Sequence, residues 1–329
     1  MTASSQTAGR SVPSFSQRLW IVTGKGGTGK TTLTAALGLW AAAHGREALV
    51  VTTGDDDALP ALLEVDPARA RGREPLRVTP RLSLLCIEPQ HALAEYLELQ
   101  LHVGGLAGRL LRNRAFGLFL DAAPGWRELV TLGKIWHLEG QSSRGKPRFD
   151  LIVVDAPATG HGLSFLSVPR VVLDTVTVGP LRRQTESIQA LLLDRTRTWC
   201  TPVTLAEELP VRETLELLSQ LGALGIATGP LFLNRIEPPL ELAMPEVSER
   251  LGALDPVGAP PLANPHVLLD ALAFRARRFA QQERWIGSLR EATQLPRVSV
   301  PYRIEPLVGR GALSRFAEGL AAPLASVLA

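Results

Sequence analysis

A glycine-rich loop near the N-terminus holds the residue types that bind phosphate. Residues 24–31 read Gly-Lys-Gly-Gly-Thr-Gly-Lys-Thr, which fits the pattern G-x-x-x-x-G-K-[ST]. Glycines let the backbone curl so that successive N–H groups point at phosphate oxygens. In this pattern the lysine, here Lys30, reaches the β- and γ-phosphates, and the hydroxyl, here of Thr31, binds Mg²⁺. The loop predicts an Mg·ATP site whose nucleotide-binding residues are Gly24, Gly26, Gly27, Thr28, Gly29, Lys30, Thr31 and Thr32.

Lysine usage singles out the same loop. The chain has 35 Lys and Arg residues, and only four of them are lysines: Lys25, Lys30, Lys134 and Lys146. Two of the four lie five residues apart in the loop. A compact, flexible ammonium differs from a planar guanidinium in the contacts that it makes, so this placement indicates that a point charge is needed there.

The elements around the loop predict a layered α/β protein. An apolar run at 18–23 precedes the loop and reads as a buried strand. Leu33, Leu37, Trp40 and His44 follow at helical spacing, and Gly45 ends that helix. Further strands are predicted at 48–53, 82–87, 151–154, 199–203, 230–233 and 298–300, and helices at 181–194, 211–221 and 265–289.

This alternation predicts one doubly wound domain with a mainly parallel sheet, covered by helices on both faces. We predict a single domain over residues 18–329, with a helical insertion near 90–140. The Ser/Thr/Gln-rich residues 1–17 are predicted to be a disordered tail.

Composition narrows the functional classes. The formal charge of +3 does not by itself indicate a nucleic-acid partner, so none is expected. No apolar run reaches about 18 residues, and the N-terminus has no signal-peptide core, so we predict a cytoplasmic protein without an integral membrane segment. Cys86 and Cys200 form no C-x-x-C pair, which argues against structural zinc.

Two motifs carry a resemblance to a known family. The loop G-K-G-G-T-G-K-T-T resembles the deviant Walker A loop of one class of P-loop nucleotidases. Residues 155–166 are similar to the pattern D-x-A-P-T-G-H-T-L-x-F-L of the branch that contains arsenite-type anion-transporting and tail-anchored-protein-targeting ATPases. Seven of the ten specified positions match; Pro157 and Ala158 stand in swapped order, and Gly162 replaces a threonine.

The resemblance implies roles for individual residues. In this class two subunits face each other across nucleotide, so Lys25 would enter the partner's site. Asp155 would hold Mg²⁺ through water, and Gly160 and Gly162 would let the segment move. Asn234 takes the position of an adenine-contacting asparagine, and residues 300–306 look like the loop that wraps adenine.

One position departs from the family pattern. The family's first switch reads S-T-D-P-A-H-x-L, and its aspartate positions the attacking water. The corresponding residues 52–59 place Gly54 where that aspartate belongs, with Asp55 directly after it. A one-residue slip would let Asp55 do the work; alternatively the site binds ATP and hydrolyses it slowly, or only with a partner's help.

The sequence therefore predicts an Mg·ATP-hydrolysing dimeric switch with Lys25, Lys30 and Asp55 as catalytic residues. The alternative is an ATP-binding regulatory or scaffold subunit that pairs with a paralogue.

The absence of C-x-x-C, the presence of two methionines and the lack of a third cysteine disfavour the targeting and arsenite activities. An unidentified protein client is expected instead, with the apolar helical segment 95–139 as a candidate surface. A partition-type function on DNA predicts a basic surface cluster or a C-terminal amphipathic membrane helix. It is disfavoured because the apolar residues 312–329 lack the Lys/Arg-rich face of such a helix.

Overall fold

The computed structural model describes residues 15–53, 57–101, 125–239, 246, 249, 265–307 and 309–328. Gly54 and Asp55, most of the predicted N-terminal tail and the middle of the predicted helical insertion lie outside these ranges. The predictions made for them stay predictions.

An eight-stranded sheet forms the centre of the protein. All neighbouring strands pair in parallel except the edge pair of β3 and β4, which is antiparallel. The order across the sheet is β10-β9-β8-β1-β7-β2-β4-β3. The strands are β1 Leu19–Thr23, β2 Ala48–Thr52, β3 Leu76–Thr79, β4 Leu82–Cys86, β7 Leu151–Asp155, β8 Thr198–Leu205, β9 Leu231–Ile236 and β10 Arg297–Pro301, and a separate hairpin contains β5 Ser142–Ser143 and β6 Lys146–Pro147.

Eleven helices are found in the described part of the chain. Most of them cover the two faces of the sheet, and α9 packs with α8 near its β9 end. They are α1 Lys30–Ala43, α2 Ala58–Leu62, α3 Pro67–Ala70, α4 Pro89–Leu101, α5 Trp126–Gly140, α6 Thr159–Thr175, α7 Pro180–Leu193, α8 Glu208–Leu224, α9 Pro265–Ala292, α10 Gly309–Gly319 and α11 Ala321–Leu328.

The central strands β1, β2 and β7 are almost entirely apolar because both faces of the sheet are buried there. Along β1, Trp20 and Val22 point into a core shared with α1, α10 and α11. Leu19 and Ile21 point into the opposite core, beneath α5, α6, α7 and α8. Successive side chains of a strand face opposite sides, so a strand covered twice needs apolar residues at every position. This arrangement confirms the predicted doubly wound α/β fold.

Each core contains one of the two cysteines. Cys86 at the end of β4 belongs to the α1 side, and Cys200 in β8 belongs to the α8 side. Both are buried and neither forms a disulfide. Among the described residues no three His, Cys, Asp or Glu side chains form a group that could hold a metal ion.

A buried carboxylate ties α5 to the centre of the sheet. Glu139, whose side chain is 0% exposed, forms ion pairs with Arg18 and Arg197. Arg18 directly precedes β1 and Arg197 directly precedes β8. The three residues therefore fix the amino ends of two neighbouring strands, which are the strands whose other ends border the glycine-rich loop.

Several elements differ from the sequence prediction. Residues 141–148, where no strand is predicted, contain the β5–β6 hairpin, and the edge strand β3 was not predicted either. The C-terminal residues form α10 and α11, with α10 packed on α1. None of the helices described in the structure is long and apolar enough to cross a bilayer.

Residues 15–17, which the sequence assigns to the predicted tail, make contacts with the folded domain. Phe15 packs against Trp20 and Trp40, with ring centroids 4.9 and 6.1 Å away, and Arg46 lies 4.0 Å from the Phe15 ring. Gln17 donates a hydrogen bond to the Arg195 carbonyl oxygen at 2.9 Å. These contacts place residues 15–17 with the folded domain, because the Phe15 ring buries apolar surface against Trp40 near the C-terminal end of α1.

Candidate functional site

The glycine-rich loop connects β1 to α1 at the carboxyl edge of the sheet, where ligands bind in open α/β folds. Gly24 has φ 144°, and a Cβ atom there would collide with the carbonyl oxygen of Val203 in the neighbouring β8. Only glycine allows the chain to leave β1 this close to β8. The exposed Gly26 and Gly27 form the crest of the loop, and nothing lies within 4 Å of a Cβ built on either.

The first turn of α1 is left open toward this crest. Its N-cap is Gly29 in the left-handed conformation, so no side chain caps the helix, and no acidic residue lies in the first turn. The first amides of a helix have no partner within the helix, and its N-terminus carries partial positive charge. The local geometry is that of an anion-binding helix terminus.

One carbonyl oxygen organises the loop's own contacts. The Lys25 oxygen accepts hydrogen bonds from the Thr28 hydroxyl at 2.9 Å and from the Lys30 ammonium at 3.1 Å. Lys30 therefore folds back along the inner side of the loop. To bind a phosphate held in the loop, the Lys30 amine would exchange the Lys25 carbonyl oxygen for a phosphate oxygen.

Asn234 supports the loop from below. Its Nδ2 donates to the Thr28 carbonyl oxygen at 2.7 Å, and its Oδ1 accepts the Arg235 N–H at 2.9 Å. The residue is 9% exposed, and a Cβ on Gly29 would collide with its amide. Both amide atoms are thus engaged within the protein. The predicted contact with adenine stays a prediction; it would use the second Nδ2 hydrogen and the second Oδ1 lone pair, or would replace these bonds.

Asp155 ends β7 beside the loop. In the sheet register it lies opposite Val22 of β1 and Thr52 of β2. Burial lowers the pKa of Lys30, and the nearby Asp155 carboxylate partly opposes that shift by favouring the charged amine. The structure therefore places Lys30 near Asp155, and the half-buried Thr31 follows Lys30 in α1.

Lys25 points away from the loop to Glu213 on α8, a residue that no motif connects with the site. Its ammonium donates to the carboxylate of Glu213 on α8, and both side chains are 30% exposed. The sequence suggests only favourable helix-dipole placement for Glu213. Nothing in the spacing of residues 25 and 213 signals the contact, because it depends on β8 lying next to β1.

The second motif begins a helix. Residues 156–158 leave β7, and α6 starts at Thr159, so Gly160 and Gly162 both lie in its first turn. A Cβ on Gly162 would lie 2.7 Å from the Pro157 carbonyl oxygen and 2.9 Å from the Thr23 hydroxyl, whereas a Cβ on Gly160 would meet nothing within 4 Å. Glycine replaces the family's threonine at 162, where the backbone of α6 lies close to Thr23 at the end of β1.

A cleft lies beyond the ends of β9 and β10. It measures about 530 Å³ and is lined by Glu237, Phe274, Arg278, Tyr302 and Ile304, among others. Arg278 lies 4.9 Å from the Tyr302 ring, and the buried Glu237 forms ion pairs with Arg275 and Arg278 at 3.5 Å. Residues 301–305, part of the predicted adenine loop, contribute to this cleft.

Known ATPases are similar to this chain in sequence. Residues 17–184, more than half of the chain, match the sequence model of a family described as anion-transporting ATPase. The chain belongs to the anion-transporting ATPase family. This ATPase is 34% identical to the ATPase BagA of Mycobacterium tuberculosis over 343 aligned residues, which cover 98% of each chain.

Two more distant relatives share shorter parts of the ATPase. It is 26% identical to ATPase GET3 of Malassezia globosa, over 66% of this chain and 72% of the relative. It is 27% identical to a putative arsenical pump-driving ATPase of Aquifex aeolicus, over 47% of this chain and 38% of the relative. The family assignment and the predicted ATPase activity are thereby confirmed.

Proposed function

We propose that the ATPase is a cytoplasmic molecular switch in which Mg·ATP binding closes a dimer and hydrolysis reopens it. The observation that carries the proposal is the placement of Lys30 near Asp155 at the carboxyl edge of the sheet, below an uncapped helix terminus whose second residue is Thr31. This set supplies amides and an ammonium for phosphate and oxygen ligands for a hard divalent cation.

The residues present fit Mg²⁺. Thr31 offers a hydroxyl and Asp155 a carboxylate, which are the ligand types that Mg²⁺ prefers, and Asp155 is held on a rigid, buried strand. Bound Mg²⁺ would neutralise charge on the phosphate oxygens. Lys30 would exchange the Lys25 carbonyl oxygen for a phosphate oxygen, and the loop amides would hold the phosphate chain. Catalysis would come from positioning and electrostatics.

The water-positioning acid is proposed to be Asp55. It follows β2, whose Thr52 lies opposite Asp155, so the chain leaves the sheet beside the proposed metal site. Residues 54–56 lie outside the described part of the chain, so the proposal rests on the end of β2 and on the sequence. Asp55→Asn separates the two hypotheses for this segment: loss of turnover with ATP binding kept supports Asp55 as the acid.

Gly54 favours a second candidate function. A subunit that lacks the switch aspartate would bind ATP as a structural or regulatory ligand and would pair with a hydrolysing paralogue. The loop and the Lys30–Asp155 pair would serve either function equally. Measuring the ATP turnover of this chain therefore decides between two dimers. One is formed by two copies of the chain, and the other by the chain and a paralogue.

A protein client is proposed to contact the helices that follow β4. Between α4, α5 and α7 lies a mainly apolar cleft lined by Tyr96, Leu129, Trp136, Leu181 and Ile188, among others. At its base Lys134 pairs with Glu95 at 2.5 Å, and their side chains are 8% and 18% exposed. An apolar cleft with a polar base suits a segment that carries apolar side chains.

The proposal is tested by measuring Mg·ATP hydrolysis per protomer over a range of protein concentrations, with Lys30→Ala as the blank. A dimeric enzyme gives a specific activity that rises with concentration and disappears in the blank. Activity equal to the blank at every concentration would contradict a self-sufficient enzyme. Binding of Mg·ATP without turnover would then favour the regulatory subunit, and added paralogue would be expected to restore turnover.

A further inference from the structure

The contact between Lys25 and Glu213 joins the loop to a helix that the reaction itself does not require. Lys25 is the second residue of the loop, and Glu213 lies in the second turn of α8. The helix starts just after β8, and β8 pairs with β1 through Thr23 and Pro202. The topology therefore puts the start of α8 beside the loop.

The position of Glu213 is set by the buried side of α8. Val211, Thr214 and Leu217 are all buried, with exposed fractions of 3% or less, so the helix cannot rotate without uncovering them. Glu213 is left on the side that faces the loop. A carboxylate on an anchored helix is a fixed acceptor, whereas Lys25 is a long, flexible donor.

The same side of α8 also borders the start of α6. A cleft between the two helices is lined by Gly160, Leu163, Glu213, Glu216 and Gln220, among others. Glu213 thus lies between the nucleotide loop and the helix that follows Asp155. A change in either segment alters its surroundings.

We propose that Glu213 is a positioning residue that holds Lys25 on its own subunit and competes with phosphate in the facing subunit. Lys25 must exchange the Glu213 carboxylate for a phosphate oxygen before the closed dimer can form. Glu213 therefore sets the protein concentration at which hydrolysis begins. The inference rests on the proposed function, because it requires the dimer in which Lys25 enters the other site.

The size of the effect follows from the exposure of the pair. Solvent-accessible ion pairs stabilise by about 0.2–1 kcal/mol, which corresponds to a factor of about 1.4 to 5 in an equilibrium constant. Removing the Glu213 charge is expected to tighten the nucleotide-bound dimer by that factor for each Lys25 released. A dimer of two identical chains releases two.

The first test uses the small number of lysines. Protein labelled with ¹³C at lysine gives ε-methylene signals from only four residues, of which Lys25 can be assigned by Lys25→Arg. We expect Glu213→Gln to shift the Lys25 signal and to leave that of the exposed Lys146 in place. Glu216→Gln is the control: Glu216 lies one turn further along α8 and accepts a bond from Gln220 at 3.1 Å. A Lys25 signal unchanged by Glu213→Gln would overturn the proposal.

The second test measures the dimer directly by sedimentation with Mg²⁺ and a non-hydrolysable ATP analogue. Glu213→Gln should lower the dimer dissociation constant by about 1.4- to 5-fold per Lys25, Glu213→Asp should restore part of the difference, and Glu216→Gln should match the wild type. An unchanged constant in Glu213→Gln would overturn the competition. Absence of hydrolysis in the wild type, with nucleotide-dependent dimers present, would contradict the proposed enzyme and leave this inference standing.

Discussion

Lys30 shows at the scale of one residue how function and stability oppose each other. The amine is held partly buried beside the loop, and burial lowers its pKa although Asp155 favours the charged form. A group whose pKa is lowered on folding binds protons more weakly in the folded state. Its charge therefore opposes folding wherever it is protonated, and the opposition fades as pH rises toward the ordinary lysine value of 10.5.

We expect Lys30→Met to raise the free energy of unfolding while it abolishes Mg·ATP binding, because the substitution keeps the apolar stem and removes the charge. Urea unfolding at several pH values measures this, with the exposed Lys146→Met as the matched control. The gain should be largest near pH 7 and should shrink as pH approaches 10. A variant less stable than wild type at pH 7 would contradict the argument.

Asn234 is the second residue-scale case, because one amide supports the nucleotide loop. Asn234→Ala leaves the Thr28 carbonyl oxygen and the Arg235 N–H without their partner, and we expect a loss of about 1–3 kcal/mol of stability. ATP and GTP affinities, measured by calorimetry on the same variant, separate the two roles. Equal weakening for both nucleotides indicates loop support, whereas selective loss of ATP indicates adenine recognition.

At the scale of the element, Gly160 and Gly162 both lie in the first turn of α6 but have different surroundings, although the motif implies the same role for both. Gly162→Ala places a methyl group against the Pro157 carbonyl oxygen and the Thr23 hydroxyl, so we expect a loss of about 1–3 kcal/mol and reduced turnover. Gly160→Ala has open space and a better helix-forming residue, so stability should stay level or rise by up to about 1 kcal/mol. Thermal unfolding and hydrolysis measured on both variants check the contrast; equal effects would show that steric approach is not the reason for Gly162.

The elements also show what sequence could and could not predict. Buried parallel strands are near-continuous apolar runs, so β1, β2, β4 and β7 were predicted within one or two residues. The edge strand β3 was missed because only one of its sides is covered and its pattern is mixed. The C-terminal helices α10 and α11 were not predicted, although Leu313, Phe316, Ala317 and Leu320 recur at helical spacing; α10 packs on α1, and α11 packs on β10.

The site was predictable to the same degree. Residues that contact one another through a local motif, such as Gly24–Thr31 and Asp155, could be placed from spacing and from the strand that precedes each motif. The contacts of Lys25 with Glu213 and of Thr28 with Asn234 span 188 and 206 residues. They follow from the order of strands β9, β8 and β1, which the sequence alone does not give.

At the scale of the whole molecule, the sheet separates two cores that share one functional edge. The nucleotide loop leaves β1 toward α1, on one face, whereas Asp155 leads into α6, on the other. The two halves of the proposed site therefore move with different faces of the protein. Glu139 ties the opposite ends of β1 and β8 together, so rearrangement is expected at the carboxyl edge and not at the base.

The division of the cysteines between the two cores has a practical consequence: the protein contains one chemical reporter for each face. Burial raises the pKa of Cys86 to about 11 and that of Cys200 to about 12, so neither sulfur is a nucleophile at neutral pH until its strand is uncovered. Pulsed alkylation followed by mass spectrometry would record these openings separately. Cys86 lies one strand from the sheet edge and should be alkylated before Cys200, which lies between β1 and β9; the reverse order would mean that the α8 face opens first.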